Sequence, residues 1–552
     1  MKSAFTKIYS KIQTLLMNQL FLILIISAFS SIPYGIERYI LGKYHAASII
    51  SKSSRFLVSY LEFFIFNFII FLFISYLSEK LSKLASYFYF AISLLVFIIE
   101  IFLLKNFSAV INPSAIQILL ETNLLETKEF LMTYIDLKSM IFFLVIAITG
   151  ILTYKKINKK YLSSKIYKNK YLIIVLFIVS LIKIFSLPRN IKNFNVSRLY
   201  LSMKQGFIEL DEYKNIESSI INKKVEILEN NSSIKNIILI IGESTSRNHM
   251  GIYGYTLNTT PLLNELEKNG NLYKYTNVIS PHAHTIPSIK KMLTFYNFES
   301  DKPWYNYNNI IDVMKKAGYN TYWLSNQEFS GKYINIATAI GKKSHTTFFN
   351  SIANSDDDDR IISFDEEMVD KSINYINTEK NFVIYHLMGT HSLYKYRYPK
   401  SFGRFTNSHK KVIGEYDNAV LYNDYVINKI ISNFSNQESI VIYVSDHGEE
   451  VYDFRDFIGH AEDKGSRYMI EVPFIIYVSD EFKLKYTEIV SQIQQSMNNP
   501  YMTDDLIHTI LDISSIKTKE FDAKRSIINK DFDNARKRIF AEKDYDKYWK
   551  TK

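Results

Sequence analysis

Apolar positions follow two regimes along the chain, changing near residue 190. Before that point they form long runs at about 17–36, 56–77, 84–104, 138–154 and 171–187. A spanning helix needs about 20 mostly apolar residues, so the pattern predicts five membrane spans. The first run has the length of a signal-peptide core, but it lacks a small-residue cleavage site and further spans follow it, so it reads as a retained helix. After 235, short apolar runs alternate with amphipathic stretches. Strands are expected at 236–241, 321–324, 382–387, 440–444 and 473–478, with a short one near 275–279. Helices are expected at 260–268, 309–317, 365–376 and 418–432. Apolar strands separated by helices indicate a mainly parallel sheet covered on both faces. Such sheets bind ligands at the carboxyl ends of their strands. The expected organisation is a five-span helical domain over 1–187, a membrane-surface linker over 188–232 and an α/β domain over 233–552.

Charge gives the spans a direction. Lys155, Lys156, Lys159, Lys160, Lys165, Lys168 and Lys170 crowd the loop 153–170, which has no acidic residue. Lys and Arg mark cytoplasmic loops, so this loop and the N-terminus, with Lys2, Lys7 and Lys11, are expected inside and everything after 187 outside. The loop 37–55, with Arg38, Lys43, Lys52 and Arg55, dissents. The net charge of +11 suits nucleic acid or a membrane surface. No basic motif with interleaved aromatics stands out, so no nucleic-acid partner is expected. Glu62, Glu100 and Lys183 are scattered rather than clustered, unlike the ion pathway of a transporter. The chain has no Cys, which removes disulfides, thiolate catalysis and Cys-ligated metal.

Chemistry gathers at the predicted strand ends. One strand runs into Gly242-Glu243, another into Ser445-Asp446-His447-Gly448, a third into Gly389-Thr390-His391 and the short one into Ser280-Pro281-His282-Ala283-His284-Thr285. Carboxylates and imidazoles from separate strand ends suit a divalent metal such as Zn²⁺. Thr285 has two readings. It is a helix N-cap, or it is a nucleophile activated by a metal beside a helix N-terminus that favours phosphate. His282 and His284 are either loop histidines near a phosphate or a second metal pair. Asp356 to Asp359 reads as a solvated run, the segment after Lys517 as packing on the domain surface, and His45 as interfacial.

Ordered pieces carry a resemblance. They are Ile241 to Arg247, Tyr253-Gly254-Tyr255, Thr259-Thr260-Pro261, Asn277 to Thr285, His386 to His391 with Arg397-Tyr398-Pro399, Tyr416-Asp417-Asn418 with Tyr422-Asn423-Asp424, Ser445 to Glu449, and Gly459-His460 with Glu471 to Phe474. From 237 to about 480 the chain resembles the alkaline phosphatase/sulfatase superfamily. More narrowly it looks like the lipopolysaccharide phosphoethanolamine transferases, which include the mobile colistin-resistance enzymes. The resemblance implies a multi-pass protein of the bacterial inner membrane with a periplasmic catalytic domain. It implies transfer of phosphoethanolamine from phosphatidylethanolamine to a lipopolysaccharide or lipooligosaccharide acceptor through a phosphothreonine-type intermediate.

By the same resemblance, Zn²⁺ is bound by Glu243, Thr285, Asp446 and His447, with Thr285 as nucleophile and Thr245 as its lesser rival. His391 and His460 bind phosphate oxygens or move protons. Asn326 and Lys332 lie where relatives place substrate-binding groups, and Glu121, Thr122, Asn123 and Glu126 match a loop facing the active site. Lipid A-modifying relatives flank the nucleophile with cystines, where this chain has Pro281 and Ser288 or its neighbours. That departure, with the Gly-Glu-Ser-Thr form, looks more like transferases acting on core heptose. A phosphoglycerol transferase would share the metal site, whereas a sulfatase of the usual kind needs a modified Cys or Ser in its first motif.

Overall fold

In the computed structural model the described residues are 2–41, 48–107, 109–113, 115–116, 119, 127, 131, 134–157, 171, 175, 193–207, 224–327, 336–350, 363–377, 379–406, 410–462 and 464–551. They form two compact units, Met1–Leu210 and Asp211–Lys552.

The first unit is helical: α1 (Lys2–Gly35), α2 (Ile49–Ile74), α3 (Glu79–Phe107) and α4 (Leu137–Ile157). Three segments are long and apolar enough to cross a membrane, namely Gln19–Ile40, Ile49–Ile74 and Glu79–Phe107. They overlap the first three expected spans. The fourth expected span is helical as well, but its apolar stretch Leu137–Leu152 is shorter. The fifth, 171–187, lies outside the described residues except at 171 and 175. Polar side chains tie the first three helices together. Asn67 on α2 donates to Ser27 on α1 at 3.1 Å and accepts from Tyr89 on α3 at 2.6 Å, the kind of interhelical bond that substitutes for a missing hydrophobic drive in lipid. Arg198 adds a buried two-pronged bond to Glu100 on α3, at 2.8 and 2.9 Å.

The second unit is built on a seven-stranded sheet. Its strands are β1 (Asn236–Gly242), β2 (Leu272–Lys274), β3 (Asn320–Ser325), β4 (Thr346–Phe349), β5 (Asn381–His386), β6 (Ser439–Ser445) and β7 (Phe474–Val478). The order across the sheet is β2-β7-β6-β1-β5-β3-β4. The sheet is mixed, because β7 runs antiparallel to both of its neighbours while the other pairings are parallel. Alternation along β1 decides its two faces. Ile237, Leu239 and Ile241 enter a core that includes Ile286, Ile289 and Met292 of α6 (Thr285–Met292). Ile238 and Ile240 enter the opposite core with Leu263 of α5 (Pro261–Lys268) and Tyr416, Val420 and Ile427 of α7 (Lys411–Phe434).

Register then places the chemistry. Ile241 pairs with His386 of β5 and Gly242 with Ser445 of β6, so the loops that follow leave the sheet at one level. The expected strand near 275–279 shortens to Val278–Ile279, which pairs with Tyr501–Met502, while β2, just before it, joins the sheet edge. The segment after Lys517 does more than cover the surface. Arg538 is buried and donates to the Asn277 carbonyl at 2.8 Å, and Arg536 bonds Asp504, Asp505 and Glu299 at 2.7–2.9 Å.

Gly389 lies where the His391 loop meets the Glu243 loop. Its φ is +53°, and a Cβ there would sit 2.9 Å from the backbone N and O of Glu243. Both the left-handed conformation and the contact exclude a side chain. Gly389→Ala is expected to destabilise the protein by about 2 kcal/mol or more, read as a lower unfolding midpoint in thermal denaturation.

Candidate active site

Thr285 is the first residue of α6, and His284 occupies the N-cap without capping it through its side chain. The N-cap reading of Thr285 therefore does not hold. Its hydroxyl lies 3.1 and 3.3 Å from the two carboxylate oxygens of Glu243 and 3.4 Å from Nε2 of His447. His447 Nε2 is in turn 3.3 Å from Glu243 Oε1 and 3.5 Å from Asp446 Oδ2. The structure thus brings Glu243, Thr285, Asp446 and His447 together.

The donor atoms suit a divalent cation. Ligands about 2.0–2.1 Å from a tetrahedral ion lie about 3.3 Å from one another, which matches the separations of 3.1–3.5 Å. Asp446 Oδ1 accepts from the backbone of Ser244 and His447, while its buried Oδ2 has no hydrogen-bond partner among the described residues. His447 uses Nδ1 on the Gly448 carbonyl at 2.8 Å, which fixes the tautomer and leaves Nε2 as the ligating nitrogen. Burial, and then the Glu243 charge, push the Asp446 carboxyl up to about 8. Burial works against the charged form of His447, but Asp446 and Glu243 outweigh it and hold the imidazole up at about 10. Burial also disfavours the Glu243 carboxylate, yet His447 and His391 keep it below the ordinary range. These shifts describe three buried, mutually dependent charges, and a divalent cation could take the place of the proton that His447 now holds.

The walls of the site come from the same strand ends. Thr390 binds the carbonyls of Glu243 and Ser244 at 3.0 and 2.9 Å, which sets His391 beside Glu243. Burial holds the His391 imidazole down at about 4, against the pull of Glu243. His460 packs on His447 with ring centroids 4.1 Å apart and meets His284 at 5.4 Å. Burial and His447 hold it near 3, so it is neutral at rest. The loop that carries Thr285 has no cystine. Ser280 Oγ instead donates to the Asp446 carbonyl at 2.5 Å and lies 3.1 Å from Ser288 Oγ, and Ser288 donates to the His282 carbonyl at 3.2 Å. His282 hydrogen-bonds Glu462. Thr245 hydrogen-bonds Thr390 at 3.1 Å.

Asn326 is buried with its amide committed. It donates to Asp365 and to the Ser363 carbonyl and accepts from Asn350. Asp365 in turn accepts the N–H groups of Met388 and Gly389 at 2.8 and 2.9 Å, so Asn326 supports the His391 loop from behind. Lys332, Glu121, Thr122, Asn123, Glu126, His45 and the 356–359 run lie outside the described residues. Sequence reasoning missed Gln327, whose amide reaches Glu243 at 3.5 Å, and it gave Glu449 no role although Glu449 bonds His460 at 2.6 Å. His447, Glu449 and His460 form a second group able to hold a metal. His249 was missed as well. It is buried between Asp417 at 2.7 Å and Asp453 at 3.0 Å, joining the loop after β1 to α7 and to the hairpin that carries His460.

The strand ends of this mixed sheet thus gather carboxylates, imidazoles and one hydroxyl in one place. Residues 235–516 match the sulfatase family model, and the chain belongs to that family. It is similar to phosphoethanolamine transferase EptC of Escherichia coli, with 31% identity over 325 residues that cover 55% of each chain, so it spans about half the length of that relative. It is also similar to phosphoethanolamine transferase CptA of Salmonella typhimurium, with 28% identity covering 76% of this chain and 78% of that protein. Among solved structures, the zinc complex of the C-terminal periplasmic domain of E. coli EptC superposes with a TM-score of 0.55 at 29% identity, covering 59% of this chain and 97% of that domain. The integral membrane protein EptA of Neisseria meningitidis shares the fold, with a TM-score of 0.64 at 20% identity over 92% of this chain and 97% of that one.

The His249 bridge predicts a pH dependence. Burial lowers its affinity for a proton, but Asp417 and Asp453 outweigh burial and raise the group to about 9, above its value of about 6.5 in the unfolded chain. The stabilisation is therefore full below about pH 6.5 and is lost as pH rises through about 9, amounting at most to about 3 kcal/mol. Chemical denaturation across this range should show that decline in the wild type and a flatter profile in His249→Gln.

Proposed function

We propose that the protein is a zinc-dependent phosphoethanolamine transferase that takes its group from phosphatidylethanolamine and delivers it to a lipopolysaccharide or lipooligosaccharide acceptor. The observation that carries this reading is the convergence of Glu243, Asp446 and His447 on the hydroxyl of Thr285. The names of the similar proteins and the zinc in the EptC domain supply the transferred group and the metal. The absence of Cys around the nucleophile favours a core heptose over a lipid A phosphate as acceptor. The topology that fits is five spans over 1–187, a linker over 188–232 and a periplasmic domain over 233–552 in the bacterial inner membrane. Anchoring holds the domain at the leaflet where donor and acceptor reside, which raises their effective concentration. Lys332 and the Glu121, Thr122, Asn123 and Glu126 loop are proposed headgroup contacts.

A Zn²⁺ ion held by Glu243, Asp446 and His447 would ease deprotonation of Thr285 and offset charge on the phosphate oxygens. Thr285 Oγ1 attacks phosphorus in line as the alkoxide and leaves as the alkoxide in the second half; in the first its bond to phosphorus forms and the bond to the diacylglycerol oxygen breaks. The first N–H groups of α6 lack intrahelical acceptors and face the phosphate. His460 and His391 are neutral at rest, and an anionic phosphodiester beside them favours their protonated forms. One of them then gives its proton to the departing oxygen. In the second half an acceptor hydroxyl or phosphate oxygen displaces Thr285, and a proton lost by a hydroxyl acceptor returns to the imidazole.

Cells expressing the wild type should yield glycolipid carrying added phosphoethanolamine by mass spectrometry, and cells expressing Thr285→Ala should not. Equal modification by both would sink the nucleophile assignment, and a phosphoglycerol adduct would replace the donor. For the metal, one equivalent of Zn²⁺ added to chelated wild type should raise the melting temperature by several degrees, since binding to the folded state alone adds stability. Asp446→Asn should abolish most of that gain.

A further inference from the structure

His460 has two ring nitrogens, and one of them has a hydrogen-bond partner among the described residues. Nδ1 lies 2.6 Å from Oε2 of Glu449. The other carboxylate oxygen of Glu449 accepts the Tyr394 hydroxyl at 2.5 Å. Both Glu449 and Tyr394 are buried, so the carboxylate cannot swing into water. Tyr394 is held in place by its ring edge against Tyr416 at 4.9 Å, and Tyr416 bonds the Ser244 carbonyl beside Glu243 at 2.8 Å. The hairpin of Glu450–Val451 and Ile458–Gly459 closes the distance between Glu449 and His460 along the chain. Nε2 of His460 has no hydrogen bond among the described residues, and the ring packs at a tilt of 53° against that of His447, with centroids 4.1 Å apart.

We infer that Glu449 is a positioning residue that fixes the rotamer and tautomer of His460, keeping Nδ1 occupied so that Nε2 serves the departing and entering oxygens. A buried carboxylate on one imidazole nitrogen orients the ring and stabilises the imidazolium that forms when the other nitrogen carries a proton. The inference rests on the transfer proposed above and assigns its proton step to one of two candidate histidines. The step starts with Thr285 as the alkoxide and His460, next to the bound phosphodiester, as the imidazolium. In the first half the Thr285 oxygen–phosphorus bond forms, the phosphorus–glycerol oxygen bond breaks, and the Nε2 proton passes to the glycerol oxygen. In the second half the acceptor oxygen–phosphorus bond forms as the Thr285 oxygen–phosphorus bond breaks, and the acceptor's hydroxyl proton returns to Nε2. Imidazolium and alkoxide both end the cycle as they began.

The test separates leaving groups that need a proton from those that do not. Full-length, zinc-loaded protein in detergent micelles is mixed with phosphatidylethanolamine or with the 4-nitrophenyl ester of phosphoethanolamine, whose nitrophenolate departs unprotonated. First-turnover release is followed for each. In Glu449→Gln, release of diacylglycerol should slow about 100-fold while the nitrophenolate burst changes by less than about threefold, with zinc content and melting temperature unchanged. Tyr394→Phe should give the same pattern at smaller amplitude, and it serves if the first variant does not fold. Equal loss on both substrates, loss of bound metal, or no loss on either would overturn the assignment, the second because Glu449 would then be a ligand of the neighbouring His447 and His460 group. A wild type inert toward phosphatidylethanolamine but active on the nitrophenyl ester would overturn the donor proposal and, with it, the proton step assigned to His460.

Discussion

Buried negative charge at the end of the sheet is the constraint on which the catalytic unit turns. Glu243 and Asp446 are nearly inaccessible to water and share His447 between them at 3.3 and 3.5 Å. Charges so placed are expensive unless paired and hydrogen-bonded. Much of the surrounding structure answers that demand. Asp446 takes two backbone N–H groups, and Glu243 takes the Ser244 hydroxyl at 2.7 Å. What remains unanswered is the Asp446 Oδ2 atom, which has no hydrogen-bond partner among the described residues and lies 3.5 Å from Nε2 of His447.

The loops that carry these groups are held from behind by residues that never approach the reacting atoms. Asp365 gathers the turn before His391, Tyr416 bridges the backbone of Ser244 and Ser246, and His249 ties three segments together. The polar residues of the motifs therefore split into two populations. A few converge on the hydroxyl of Thr285, and a larger number fix the geometry of those few. Each loop is restrained by another that is distant in sequence, so a fault in one propagates to the rest.

Which parts were legible beforehand follows from this division. Apolar runs such as 236–241 and 440–444 announced buried strands because both faces of the sheet are covered. The edge strands β2 and β4 are short and partly polar, and periodicity does not register them. The helix expected at 365–376 breaks into a tighter turn after Ser372, and α7 begins at Lys411, well before the apolar stripe that suggested it. Glu243, Asp446 and His447 were visible as charged residues directly after apolar runs. Asn326 carried the same kind of signal, but its amide is consumed by Asp365 and Asn350, a pairing no linear pattern records. His249 and Glu449 belong with it, since their meaning depends on partners that only folding supplies.

The arginines beyond 520 set an order of events during synthesis. Arg538 reaches back 261 positions to the carbonyl of Asn277, and Arg536 reaches 237 positions to Glu299. The stretch carrying Thr285 thus waits for its last supports until translation has passed residue 538. A nascent polypeptide emerging beside a membrane would hold an unfinished pocket throughout its elongation. Long-range closure of this kind slows folding, and here it leaves the stretch that carries Thr285 among the last parts of the domain to be fixed.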